Sequence, residues 1–148
     1  MPKPTTDFLV GVVGNCASGK TTLVNGLQEL GYRAVNIPQE HSVSPRFWRK
    51  FNLDFLVMLS CTLATARQRR SVPWGQERLD QQARKLADAR AHCQLYLPTD
   101  DLSIAEVREQ VIAALTAWRQ EKGEKGMERD EVGQPERGQA ATPSGNLS

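Results

Sequence analysis

The run Gly14-Asn15-Cys16-Ala17-Ser18-Gly19-Lys20-Thr21 satisfies the spacing GxxxxGK[ST] in full. Each residue type in it answers a requirement of phosphate chemistry. The glycines let consecutive backbone N–H groups turn inward as an anion nest, and the start of a following helix adds the positive end of its dipole. Lys20 supplies a mobile cation for β and γ phosphates, and the Thr21 hydroxyl can ligate Mg²⁺. The expected ligand is Mg·ATP. Gly14, Asn15, Cys16, Ala17, Ser18, Gly19, Lys20, Thr21 and Thr22 are expected around its phosphates, with Thr21 also on the metal. Cys16 lies inside the nest, but such positions accept many small residues, and no redox role is assigned to it. Cys61, His92 and Cys93 lack metal-ligand spacing, so no zinc site is expected among them.

A strand must deliver such a loop and a helix must leave it. Phe8 to Val13 is a nearly continuous apolar run, which is how a strand buried on both faces reads. Thr21 to Leu30 then places Leu23, Leu27 and Leu30 on one helical stripe, and Gly31 stops it. Tyr32 to Ile37 reads as a second strand closed by Pro38, and Gln39 to Asn52 as an aromatic and basic connection with a helical turn after Pro45. Leu53 to Ser60 is a third strand of buried type. Thr62 caps a helix to about Arg70, Ser71 to Gly75 breaks it, and Gln76 to about His92 resumes with Leu79, Ala83 and Leu86 on one face. After a last strand at Gln94 to Leu97, Ser103 and Glu106 form a capping box for a helix to about Arg119. Strands alternating with helices predict an α/β fold. The expected architecture is a P-loop three-layer α/β/α arrangement with a short, mostly parallel four-stranded sheet.

The 148 residues fit one ordinary domain. From Gln120 to Ser148 the only sizeable apolar side chains are Met127, Val132 and Leu147, too few to offset the entropy of ordering. The expected division is a P-loop domain over 1–119 and a disordered polar tail over 120–148. Residues 1–119 hold 15 of the 19 Lys and Arg but 11 of the 17 Asp and Glu. That modest surplus suits an anionic small ligand and argues against a specific nucleic-acid partner. No apolar run reaches membrane-spanning length, and MPKPTTD at the N-terminus lacks the apolar stretch of a signal peptide. Three cysteines, an odd number without a CxxC pair, fit a reduced, cytoplasmic setting.

The guanine-reading NKxD motif and an LSGGQ-like signature are both missing from the sequence. Over roughly residues 8–116 the chain resembles the small P-loop kinases: adenylate, shikimate and adenylylsulfate kinases and their relatives. The resemblance rests on the GxxxxGK[ST] loop, on FLVMLS followed by an arginine-bearing helix, on ERLDQQARKLADARA, and on the ending QLYLPTDDLSIAEVREQVIAAL. It implies that arginines after the third strand cover the triphosphate. Arg67, Arg69 and Arg70 precede the break, and Arg78, Arg84 and Arg90 follow it. One guanidinium can contact several phosphoryl oxygens and stabilise charge that spreads during transfer. The resemblance also places Glu40 and His41 where related kinases bind the acceptor, Glu40 orienting or deprotonating a hydroxyl. Phe47 and Trp48 either stack on a planar acceptor or, more in keeping with their type, pack under the sheet, and Arg46 and Arg49 either hold an anionic acceptor or are surface charges.

The chain departs from these kinases in one respect. Between Ile37 and Leu53 there is no room for the extra strand that usually ends in the acid of the Mg²⁺ water shell. Asp54 opens its strand, about 20 Å from the phosphate edge at about 3.3 Å per residue. Glu40, Asp100 and Asp101 are the acids at the correct edge. The expected function is transfer of the γ-phosphoryl of Mg·ATP to a small acceptor, with Lys20, Glu40 and Arg70 catalytic and Arg67 on the nucleotide. The alternative is an ATP-binding or slow ATPase module acting through a protein partner.

Overall fold

The computed structural model describes residues 8–131 of the chain, with side chains through residue 122. Four strands, β1 (Leu9–Gly14), β2 (Arg33–Asn36), β3 (Phe55–Ser60) and β4 (Leu95–Pro98), form one sheet in the order β2-β1-β3-β4. Every pairing is parallel, where the sequence predicted a mostly parallel sheet. The helices are α1 (Lys20–Glu29), α2 (Leu63–Arg69), α3 (Gln76–Lys85), α4 (Ala87–His92) and α5 (Ile104–Glu131). Among the described residues no helix is long and apolar enough to cross a membrane.

Period-two alternation along the strands sorts the core into two halves. Val10 and Val12 of β1 and Phe55, Val57 and Leu59 of β3 share one half with Leu23, Val24 and Leu27 of α1 and with Val107, Val111 and Leu115 of α5. Val13, Leu56 and Met58 face the other way, onto Ile37, Leu86 and Ala89. Trp118 closes the first half, its ring centroid 5.1 Å from Phe8 and 5.4 Å from Phe55. Apolar cover on both faces explains why β1 and β3 read as unbroken apolar runs.

The connection between β2 and β3 contains no α-helix. Two 3₁₀ turns, Gln39–His41 and Phe47–Phe51, take its place. A fully buried Gln39 fixes it: its amide donates to the carbonyls of Ser44 (2.8 Å) and Lys85 (3.2 Å), and its Oε1 accepts from Trp48 N at 2.8 Å. Phe47 and Trp48 pack against the second core half, which is the packing alternative for these aromatics.

Two helix boundaries differ from the sequence expectation. The helix expected over 76–92 breaks at Leu86 (φ −96°, ψ −1°), giving α3 and α4. One straight stripe cannot serve both targets: Leu86 and Ala89 fill the core, while Gln82 turns to the loop after β1. The other is α5, which continues past Arg119 to Glu131, so the backbone of the first part of the expected tail is helical. The expected boundary rests on burial alone, yet Gln120 to Glu131 is mostly Glu, Lys, Arg, Gln and Met, all good helix formers. The remainder of that tail, 132–148, lies outside the described residues. The capping box at the start of α5 is present: Ser103 N donates to Glu106 Oε1 (2.8 Å), and Glu106 N donates to Ser103 Oγ (3.1 Å).

Gly14 ends β1 so close to β3 that a Cβ there would strike the Leu59 carbonyl and Ser18 Oγ. At Gly11 the obstacle is the flexible end of Leu53. Gly14→Ala should therefore destabilise by about 2 kcal/mol, the range for forced overpacking, and lower Tm by roughly 5–10 °C. Gly11→Ala should lower it by less, and thermal melts of the two variants side by side check the order.

Candidate functional site

The loop from Gly14 to Gly19 leaves the carboxyl end of β1, at the point where the chain order reverses between β2 and β3. Open parallel sheets place ligand crevices at this edge. Positive φ at Ala17 (67°) and Gly19 (104°) curls the loop around Ser18, and Gly19 needs its missing side chain to hold that angle. Side chains from several elements brace it. Asn15 Oδ1 accepts from Cys61 N at 3.0 Å, tying the loop to the end of β3. The Thr99 hydroxyl, after β4, lies 3.0 Å from the Ser18 carbonyl. Gln82 of α3 accepts from Cys16 N at 2.9 Å through Oε1 and donates to Cys16 Sγ at 3.1 Å through Nε2.

Lys20, the first residue of α1, donates from Nζ to the Gly14 carbonyl at 3.0 Å and to Glu40 Oε2 at 2.7 Å. Its side chain is 10% exposed and that of Glu40 5%, so this is a nearly dry ion pair. Losing one partner of such a pair typically costs about 3–5 kcal/mol, because the other charge is left uncompensated. The sequence expectation turns Glu40 toward an acceptor; in the structure it turns inward onto Lys20. The pairing is tertiary: 20 residues of chain separate the two, and no local periodicity marks it. Thr21 Oγ1 accepts from Asn36 Nδ2 at 2.9 Å. Lys20, Thr21, Asn36, Glu40, His41 and Arg70 line one cleft of about 260 Å³ in front of the loop. A second groove of about 340 Å³ adjoins it across Gly19, between Arg69, Thr99, Leu102 and Ile104.

The arginines separate by position. Arg70 lines the cleft. Arg69 clamps the loop, with Nη1 donating to the Ala17 carbonyl (2.9 Å) and Thr99 Oγ1 (3.0 Å) and Nη2 to the Thr99 carbonyl. Arg67, expected on the nucleotide, points instead to the Trp74 carbonyl at 3.5 Å. Successive helical positions diverge by about 100°, so one face of α2 cannot present 67, 69 and 70 together. Arg84 shares a shallow surface depression with Glu77 and Asp80, and Arg90 stacks on Tyr96 with its guanidinium carbon 3.7 Å from the ring centroid.

Of the three acids at this edge, Glu40 alone lines the cleft. Asp100 accepts from Thr62 N (2.8 Å) and Thr62 Oγ1 (2.9 Å). Partial burial alone would raise its pKa, but the hydrogen bonds from Thr62 and Thr65 outweigh it and hold the carboxyl below the usual range. Asp54 accepts from Leu9 N at 2.8 Å, at the opposite end of the sheet, as its position in the sequence implies. Sequence reading missed the side chains of Gln39 and Gln82. For Gln82 a signal existed: it falls between Leu79 and Leu86 at helical spacing, a polar residue in an apolar stripe. Gln39 carried none.

No protein-family model matches the chain, and no curated protein matches its sequence.

Arg49 is not available to an acceptor: it reaches Asp88 of α4 through Nε (3.0 Å) and Nη2 (2.8 Å), and Trp48 Nε1 donates to the same carboxylate at 2.9 Å. The Arg49 hydrogen bond is the main reason the Asp88 pKa lies below its ordinary value, with the Trp48 bond adding to it against some desolvation. A folded pKa below the unfolded one means stability present above the ordinary carboxylate range and lost as pH falls through the folded value. Asp88→Asn should lower Tm near pH 7 by roughly 3–6 °C, about 1 kcal/mol for partly exposed charge-assisted bonds. Melts across an acid titration should show that gap shrinking as the wild-type carboxylate protonates.

Proposed function

We propose that the chain is a P-loop phosphotransferase that binds Mg·ATP at the β1–α1 loop and passes the γ-phosphoryl to a small acceptor. The observation that carries this reading is Lys20, a nearly buried cation fixed at the mouth of a curled loop from which a helix starts. The residues fit the ligand. Among the described residues no side chain caps α1, so its first amides are left to face the cleft, and a Cβ on Gly19 would meet nothing within 4 Å, so the space before the loop is open. Lys20, Thr21, Thr22 and the loop amides would hold the phosphates, and the Thr21 hydroxyl would ligate Mg²⁺, with Glu40 the nearest acid. Bound Mg²⁺ supplies charge neutralisation on the phosphoryl oxygens. Arg70 supplies a further cation from the cleft wall, and Arg69 keeps the loop in shape from behind. The groove beside Gly19, walled by Leu102 and Ile104, has the apolar character a base or similar planar group requires.

Two observations favour a second reading, an ATP-binding or slow ATPase module acting through a protein partner. β3 ends in Ser60 without an acid, and Glu40 is paired with Lys20 rather than turned to an acceptor.

Lys20→Ala should weaken Mg·ATP binding at least about tenfold in calorimetric titration, a charge-assisted contact being worth about 1.5–3 kcal/mol. A wild-type chain that takes up no Mg·ATP overturns both readings. Glu40→Gln separates them. If Glu40 serves as general base, acceptor-dependent transfer should fall by about 10²–10⁴ while basal ADP formation hardly moves. If it serves the metal, basal hydrolysis and Mg²⁺ dependence should fall together. ADP formation measured with and without a panel of small alcohols, sugars and nucleosides reads both.

A further inference from the structure

The cleft in front of the loop also brings together three side chains with metal-ligand chemistry, among them the Glu40 already placed beside the nucleotide site. Cys16 Sγ, a carboxylate oxygen of Glu40 and His41 Nε2 all lie within 4.8 Å of one another. The sulfur is 3.7 Å from His41 Nε2, and that nitrogen is 3.5 Å from Glu40 Oε2. A tetrahedral Zn²⁺, with bonds of about 2.3 Å to sulfur and about 2.0 Å to nitrogen and oxygen, spaces its sulfur and nitrogen ligands by about 3.5 Å and its nitrogen and oxygen ligands by about 3.3 Å. These two spacings differ from the tetrahedral ones by only a few tenths of an ångström, and the sulfur and the carboxylate oxygen lie within 4.8 Å of each other. We propose that Cys16, Glu40 and His41 form a binding site for a borderline-soft divalent cation of the Zn²⁺ class, with a fourth coordination position open to solvent.

Three further features support it. Glu40 Oε1 is buried and has no hydrogen-bond partner among the described residues, so compensation of this carboxylate falls on Oε2, which meets Lys20 and lies 3.5 Å from His41 Nε2. A buried carboxylate compensated through one oxygen only is stabilised by a further cation at that oxygen. Gln82 is buried and grips Cys16 at two points, donating to Sγ at 3.1 Å while accepting from the backbone amide at 2.9 Å. That is the outer support by which metal ligands are held in orientation and a sulfur's negative charge is stabilised. The His41 side chain is 56% exposed, which leaves the site open to an ion arriving from solvent.

The donor set selects the metal. One sulfur, one imidazole nitrogen and one carboxylate oxygen suit Zn²⁺ and its neighbours, whereas Mg²⁺ and Ca²⁺ take oxygen shells. On binding, the Cys16 S–H bond breaks, its proton leaves to solvent and the sulfur electron pair forms the bond to the metal; nothing is oxidised or reduced. Glu40 then has two cations to serve, the ion and Lys20. The site needs only three side chains and does not depend on the loop holding a triphosphate.

Co²⁺ titrated into the full chain under reducing conditions tests this. The expected result is one ion per chain, with the intense visible bands of a tetrahedral site and a near-ultraviolet thiolate-to-cobalt transition, both erased by one equivalent of Zn²⁺. Cys16→Ser should remove the near-ultraviolet transition. His41→Ala, at an exposed position that leaves folding alone, should weaken Co²⁺ binding at least about tenfold. Cys93→Ser should change neither. Weak octahedral bands only, no uptake, or a thiolate transition that survives Cys16→Ser would each overturn the proposal. Because no nucleotide is present in these titrations, their outcome is separate from that of the Mg·ATP experiments.

Discussion

An ammonium group that keeps only 10% of its side-chain surface in water must have its charge met from within the protein, and at Lys20 a carbonyl and one carboxylate do so. Much of the surrounding architecture follows from that need. Glu40 sits on the short turn after β2, and its neighbour Gln39 is the buried amide that orders the whole connection to β3. Gln39 in turn holds Trp48, whose indole meets the Asp88 carboxylate, and Asp88 binds Arg49. A chain of polar contacts thus runs from the loop at one end of β1 to α4 beneath the sheet. It lets a segment without an α-helix do what a crossover helix does elsewhere, which is to cover a sheet face and present a charged residue at its edge.

The same logic governs the loop itself. Its backbone is held in positive-φ conformations at two places, and such conformations persist only where the surroundings over-determine them. Asn15 anchors it to the end of β3, while Thr99, Arg69 and Gln82 reach it from the turn after β4, α2 and α3. Each brace involves a different element, so no single helix movement frees the loop. Preorganisation of this kind is what a site requires if its donors are to be in place before charge arrives.

How much of this was legible in the sequence depended on whether the cause was local. β1, the loop and α1 declared themselves through an unbroken apolar run, glycine spacing and a leucine stripe, because burial on both faces and helical periodicity act within a few residues. The Ser103–Glu106 box was legible for the same reason. The inward turn of Glu40 was not, because its partner lies 20 residues away and nothing between them marks the pairing. The break at Leu86 was hidden likewise, since it is dictated by what α3 and α4 must reach rather than by their own propensities, whereas the burial of Gln82 left the trace of a polar residue in an apolar stripe. Among the arginines, the run at 67–70 was visible but its division was not. Helical phase assigns Arg69 to the loop and Arg67 to the segment before α3, while Arg70, just past the last turn, is left at the cleft.

Electrostatics at the cleft then constrains what can enter it. Lys20 and Glu40 neutralise each other, so the positive potential that remains comes from the uncapped start of α1 and from Arg70. A bare polyanion drawn to that potential would come close to the Glu40 carboxylate, and at short range in a half-dry cleft like charges repel strongly. An anion accompanied by its own divalent cation meets no such penalty, since the cation stands between the two negative groups. With no acid at the end of β3 to bind that cation, Glu40 is the carboxylate on which its retention would rest. Placing the cleft's carboxylate on a turn, beside the lysine, therefore does more than locate a charge. It ties the lysine and the carboxylate that line the cleft to each other, so that a ligand engaging either of them alone must compete with the partner.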